Sequence, residues 1–177
     1  TITPSANSCS GSPINVVVTV NPLPNVLINP ALQTICSNDV TSLALTSDVS
    51  GATFAWTTVS SAVSGNSSGS GSNIAQTLTT TTASPGSATY TVTSTANGCS
   101  GSPTNVIVTV NPLPAITSIT STDITVCAGT DGTITIVATG ASPLSYSIDG
   151  ITYLQNGGLY TNLDNGGYPI YVSNAYN

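Results

Sequence analysis

The chain has 177 residues with no Lys, Arg, His, Glu or Met, and six Asp supply its net charge of −6. Without cationic side chains neither nucleic acid nor a basic anchor to anionic lipid is expected as a partner. The usual general bases, Schiff-base amines and histidine metal sites are also out of reach, so the reading is not an enzyme and has no cofactor.

The N-terminal stretch makes sense only beside a later one. Residues 5–24, SANSCSGSPINVVVTVNPLP, match residues 95–114, TANGCSGSPTNVIVTVNPLP, at 16 of 20 positions with an offset of 90. A period near 90 residues is the length of an immunoglobulin-like sandwich. The chain therefore divides into the C-terminal strand and linker of a preceding repeat (1–24), one complete domain (25–114) and a diverged domain (115–177) that reads as short of its last strand.

Within 25–114 the strands follow from period-two alternation. Leu43 and Leu45 share a face, as do Phe54 and Trp56, Ile74 and Leu78, Tyr90 and Val92, and Val106, Val108 and Val110, with Thr or Ser mostly between. That pattern predicts antiparallel sheets with one buried and one wet face. Residues 48–51, the Ser/Gly-rich stretch 60–72 and Ser84-Pro85-Gly86 read as loops. The prolines of Asn21-Pro22-Leu23-Pro24 and Asn111-Pro112-Leu113-Pro114 fix φ and remove donors, so each should end a sheet and stiffen a connector.

In 115–177, Ile134 and Ile136 continue the scheme and Tyr146 falls near the place of Trp56. Asp149-Gly150 reads as a two-residue hairpin turn, and Tyr146 and Tyr171 as core. No segment predicts a helix, and no apolar run reaches the roughly 18 residues of a membrane span, so no membrane insertion is expected.

The cysteines form no C-x-x-C pair, which argues for disulfides in an oxidising compartment. Cys36 opens the complete domain and Cys99 lies in the turn before its last strand, so a Cys36–Cys99 bridge is expected to tie its start to its end. Cys9 and Cys127 are left for an inter-domain or intermolecular disulfide.

The combination ICS…FAW…ATYTVTSTANGCSGSPTNVIVTVNPLP resembles the PKD-like, immunoglobulin-like repeats of large Bacteroidota cell-surface proteins, and VCAGTDGTITIVATGASPLSYSIDGITY resembles neighbouring repeats of gliding-motility adhesins. The resemblance implies an all-β array of sandwiches in a long adhesin exported by type IX secretion, with no catalytic residues.

Other candidate sites carry weaker patterns. Asp131, Asp149 and Asp164 could offer oxygens to calcium but suit turns better, so no metal is expected. Asn66-Ser67-Ser68 is a formal N-glycosylation sequon on a loop, and the dense Thr and Ser could carry O-glycans. The expected role is a stalk or filament segment at the cell surface, partnered by neighbouring repeats or copies of itself and by glycans or host surface ligands. Two alternatives are a filament subunit joined by donated strands, and a carbohydrate-binding module.

Overall fold

The computed structural model describes residues 1–125 and 129–176, and the described residues contain strands and no helix. The all-β expectation holds. The N-terminal segment is a hairpin, β1 (Ser5–Ala6) against β2 (Cys9–Ser10), closed by an Ile2–Ile14 bridge.

The next strands build a sandwich. One sheet contains β3 (Val26–Asn29), β5 (Leu43–Ser47) and β9 (Asn73–Ile74), in the order β3-β5-β9. The facing sheet contains β4 (Leu32–Cys36), β6 (Thr53–Ser61), β8 (Gly69–Ser70), β11 (Gly86–Ala96) and β13 (Thr104–Asn111), in the order β4-β13-β11-β6-β8. Short strands β7 (Val63–Ser64) and β10 (Thr79–Thr80) pair at the side, and β12 (Cys99–Ser100) folds back on β11. Chain direction alternates except that β4 runs parallel to β13.

The buried face is the one the alternation marks. Leu43, Leu45 and Ile74 from the smaller sheet meet Phe54, Trp56, Tyr90, Val92, Val106, Val108 and Val110 from the larger. Tyr90 is fully buried, and its hydroxyl donates to Gln76 Oε1 at 2.9 Å. Taking that phenol out of water pushes its pKa up to about 12. β13 stops at Asn111, where the proline connector begins.

Residues 115–173 form separate sheets. β14 (Ala115–Thr122), β15 (Gly132–Thr139) and β17 (Leu159–Leu163) make one; β16 (Ser145–Ser147) and β18 (Tyr171–Ser173) make the other. Ile134, Ile136, Tyr146 and Tyr160 are their buried centre, with Tyr168, Ile170 and Val172 packed at its side. Tyr160 donates to the Tyr146 carbonyl at 2.6 Å.

Two local expectations fail here. Tyr171 is 43% exposed, because its position in β18 has the opposite parity to Ile170 and Val172. Asp149-Gly150 is not a two-residue hairpin: Asp149 Oδ1 accepts from the amides of Ile151 and Thr152, both at 2.8 Å, and the antiparallel bridge resumes only at Tyr146–Leu154. The short acidic side chain organises a wider loop in place of a tight turn.

Candidate interaction sites at the two poles of the module

The complete module has two ends, each carrying a cysteine. At the entry pole Pro24 is buried, Ser94 Oγ donates to its carbonyl at 2.8 Å, and the next residue, Asn25, is held by Asp48. The Asn25 amide donates to Asp48 Oδ1 at 2.8 Å and its side chain to Oδ2 at 2.7 Å, which hold the Asp48 carboxyl below its usual range. The Asn97-Gly98 turn lies at this same pole, with positive φ at both residues (50° and 77°), and Cys99 follows it opposite Ala96.

At the exit pole β4 ends. Cys36 is the register partner of Asn111, the Ser37 amide donates to the Asn111 carbonyl at 2.8 Å, and the Cys36 amide donates to Asp39 Oδ2 at 3.0 Å. A cleft here brings Ser37, Asn38 and Thr80 of the complete module together with Leu113 of the connector and Thr139 and Gly140 of the next.

These placements correct the expected Cys36–Cys99 bridge. Cys36 is level with Asn111, one residue past the Val110–Gly86 pair, whereas Cys99 is level with Ala96, at the other end of β11. Eleven residues of strand at about 3.3 Å each separate the two levels by roughly 36 Å, against the 4.4–6.8 Å that a disulfide spans between Cα atoms. Being first and last in sequence does not put them at one end of a sandwich: β4 carries Cys36 away from the entry pole, and the Asn97-Gly98 turn keeps Cys99 at it. Cys9 is exposed, and Cys127, its expected partner, lies outside the described residues.

Other singled-out residues are scattered. Asn66 is half-buried, and the side-chain nitrogen that an N-glycan would occupy donates to Thr58 Oγ1 at 3.1 Å. Trp56 is 8% exposed and donates to the Ser67 carbonyl at 3.1 Å, so it offers no platform for a sugar. Asp131 is engaged by the amide and hydroxyl of Thr125, and Asp149 by Ile151, Thr152 and Ser147. Asp164 lines a separate cleft with Asp123. Among the described residues no three Asp or Cys converge as metal ligands.

The sequence reading missed the contacts that anchor the connectors. Ser94–Pro24 has a counterpart in Asn174, whose Nδ2 donates to the Pro112 carbonyl at 2.6 Å. A buried Ser on the inward face of β11 was the available signal, since alternation alone would place an apolar residue there.

The family model described as a PKD-like domain matches residues 33–114. Those residues form a PKD-like, immunoglobulin-like domain. No curated protein matches the chain. PKD-like domains are typically extracellular structural or adhesion modules, and no helix among the described residues is long and apolar enough to cross a membrane.

Proposed function

We propose that the chain is a structural segment of a long, secreted cell-surface adhesin of the Bacteroidota type, a stalk or filament in which PKD-like modules follow one another in tandem. The observation that carries this is the N-terminal hairpin. Its pairs Ser5–Ser10 and Ala6–Cys9 repeat Thr95–Ser100 and Ala96–Cys99 at an offset of 90. Its Gly11 amide donates to the Pro4 carbonyl at 2.8 Å as Gly101 does to Ser94 at 2.9 Å. Its Ile2–Ile14 bridge answers the Val92–Thr104 pair. Residues 2–14 thus repeat the local pairing of 92–104, and Val16, Val18 and Val20 are the sequence counterparts, at the offset of 90, of the buried Val106, Val108 and Val110.

The role is mechanical: each module adds length, the proline connectors limit bending, and the absence of Lys and Arg leaves trypsin nothing to cut. The partners in this reading are neighbouring repeats, with glycans or surface ligands at the tip. The test is the mass of the native polypeptide after reduction and deglycosylation. A mass many times 17.6 kDa supports the array, and one near it rejects the array.

One observation favours a filament subunit joined by donated strands. Val16, Val18 and Val20 are 59%, 79% and 85% exposed, and the outer edge of β18 pairs with no strand among the described residues. If Val16 and Val18 enter that edge as Val106 and Val108 enter the complete module, the 177-residue chain associates with itself. Val16→Asp with Val18→Asp then abolishes the association, while Val17→Asp, on the face of Ile107, spares it.

A further inference from the structure

Residues 115–173 hold no counterpart of β13 among the described residues, and two observations fix where one would lie. In the complete module Trp56 of β6 is the register partner of Val92 in β11, and Ser94, two residues on, donates to the Pro24 carbonyl. In the last module Tyr146, at the place of Trp56, is the register partner of Val172, and Asn174, two residues on, donates to the Pro112 carbonyl. β18 therefore stands where β11 stands, with Val172 for Val92, Ile170 for Tyr90, Tyr168 for Ala88 and Gly166 for Gly86. Tyr90, Ala88 and Gly86 are the residues that Val106, Val108 and Val110 of β13 pair with.

The corresponding side of β18 is open. A cleft of about 270 Å³ is lined by Ile134 of β15 and Leu163 of β17 together with Gly166, Tyr168 and Ile170. Asp123 and Asp164, which also border it, are exposed and keep their charges in water. Tyr90 and Val92 are fully buried beside β13, whereas Ile170 and Val172 are only half-buried. The chain also contains a segment of the matching kind. Val16, Val18 and Val20 lie exposed at the places of Val106, Val108 and Val110, and residues 14–20 carry no charge that entry between two sheets would desolvate.

We propose that this cleft is a strand-acceptor site whose occupant is Ile14–Val20 of a second copy, antiparallel to β18, with Val16 opposite Ile170, Val18 opposite Tyr168 and Val20 opposite Gly166. Ile14 then falls opposite Val172, and there it has a rival. Within its own hairpin Ile14 exchanges backbone hydrogen bonds with Ile2 at 2.7 and 2.9 Å, and Ile2 stands to Ile14 as Val92 stands to Thr104. Val172 of the acceptor and Ile2 of the donor cannot both take that edge. Donation therefore displaces Thr1–Pro4 and replaces one antiparallel bridge by another, so these four residues act as a built-in competitor for the donor strand. Because donor and acceptor lie in different modules of the chain, the pairing continues head to tail.

This inference rests on the strand-donation reading, and the experiment separates their failures. The 177-residue chain is taken from dilute to concentrated solution in reductant, with association followed by sedimentation velocity and amide hydrogen exchange by mass spectrometry. Association that grows with concentration is expected, and segments 14–20 and 166–173 should gain protection together. Deletion of Thr1–Pro4 should tighten it about tenfold, the equivalent of the bridge that no longer has to open. Gly166→Leu should abolish it. The nearest atom to a Cβ at 166 is Tyr168 Cε2 at 3.9 Å, so the free chain accommodates the side chain, which then fills the place of Val20. A chain that stays monomeric at every concentration overturns the strand-donation reading and the inference together. Association that leaves 166–173 unprotected, survives Gly166→Leu or weakens on the deletion overturns the inference alone.

Discussion

Ser94 ties the sheet of the complete module to the connector that enters it, its Oγ donating to the carbonyl of Pro24 at 2.8 Å with both residues buried. The next module makes the same kind of tie with different chemistry, Asn174 to Pro112 at 2.6 Å. A proline connector has few donors of its own, so its orientation depends on groups that reach its carbonyls.

Ser94→Ala removes that donor and leaves the Pro24 carbonyl buried without it. A loss of about 1–3 kcal/mol is expected, measured by urea unfolding followed through Trp56 fluorescence.

Gly101 lies against the same carbonyl: a Cβ there would stand 1.8 Å from the Pro24 oxygen, and backbone cannot yield as a side-chain end can. Gly101→Ala should cost about 3 kcal/mol. Gly51→Ala, where φ is +76° but nothing lies within 4 Å, should cost about 1–2 kcal/mol. Equal losses in the two variants would contradict the close approach.

Tyr90 gives the module an alkaline limit. Burial raises its pKa to about 12 from an ordinary 10.0, so the folded state keeps the proton longer than the unfolded chain. The sign follows: stability is full below pH 10 and falls between pH 10 and 12. Tyr90→Phe should remove this slope. At neutral pH it should cost about 1 kcal/mol, because Gln76 Oε1 still accepts from the Ser67 amide at 2.9 Å.

Asp149 acts in the opposite direction. The amides of Ile151 and Thr152, then the Ser147 hydroxyl, hold its carboxyl at about 2 against 3.8. Its contribution to stability is therefore present above pH 3.8 and is lost as pH falls toward 2. A carboxyl titration by NMR should find Asp149 titrating lowest of the three Asp whose range is depressed, the others being Asp48 and Asp131.

Much of the fold was legible because alternation of Val, Leu and Tyr with Thr and Ser states directly which face is buried. Leu43, Leu45, Tyr90, Val92, Val106, Val108 and Val110 all lie in the core that this pattern marks. The repeat also carries into the hairpins, where Asn7-Ser8 and Asn97-Gly98 differ at one turn residue yet share the register set by the flanking Ala and Cys. What alternation does not encode is which pole a strand end reaches. That depends on β4 crossing to run parallel with β13, a long-range pairing with no local signature, and the mistaken Cys36–Cys99 bridge follows from it. Tyr171 was misplaced for a related reason: in so short a strand, a one-residue difference in phase reverses the face.

The most direct test of a tandem, load-bearing array is single-molecule pulling of the native protein in the presence of a reductant. The account predicts a train of similar force peaks, each releasing up to about 300 Å of chain for a module near 90 residues. A single unfolding event, or featureless extension without repeated peaks, would contradict it.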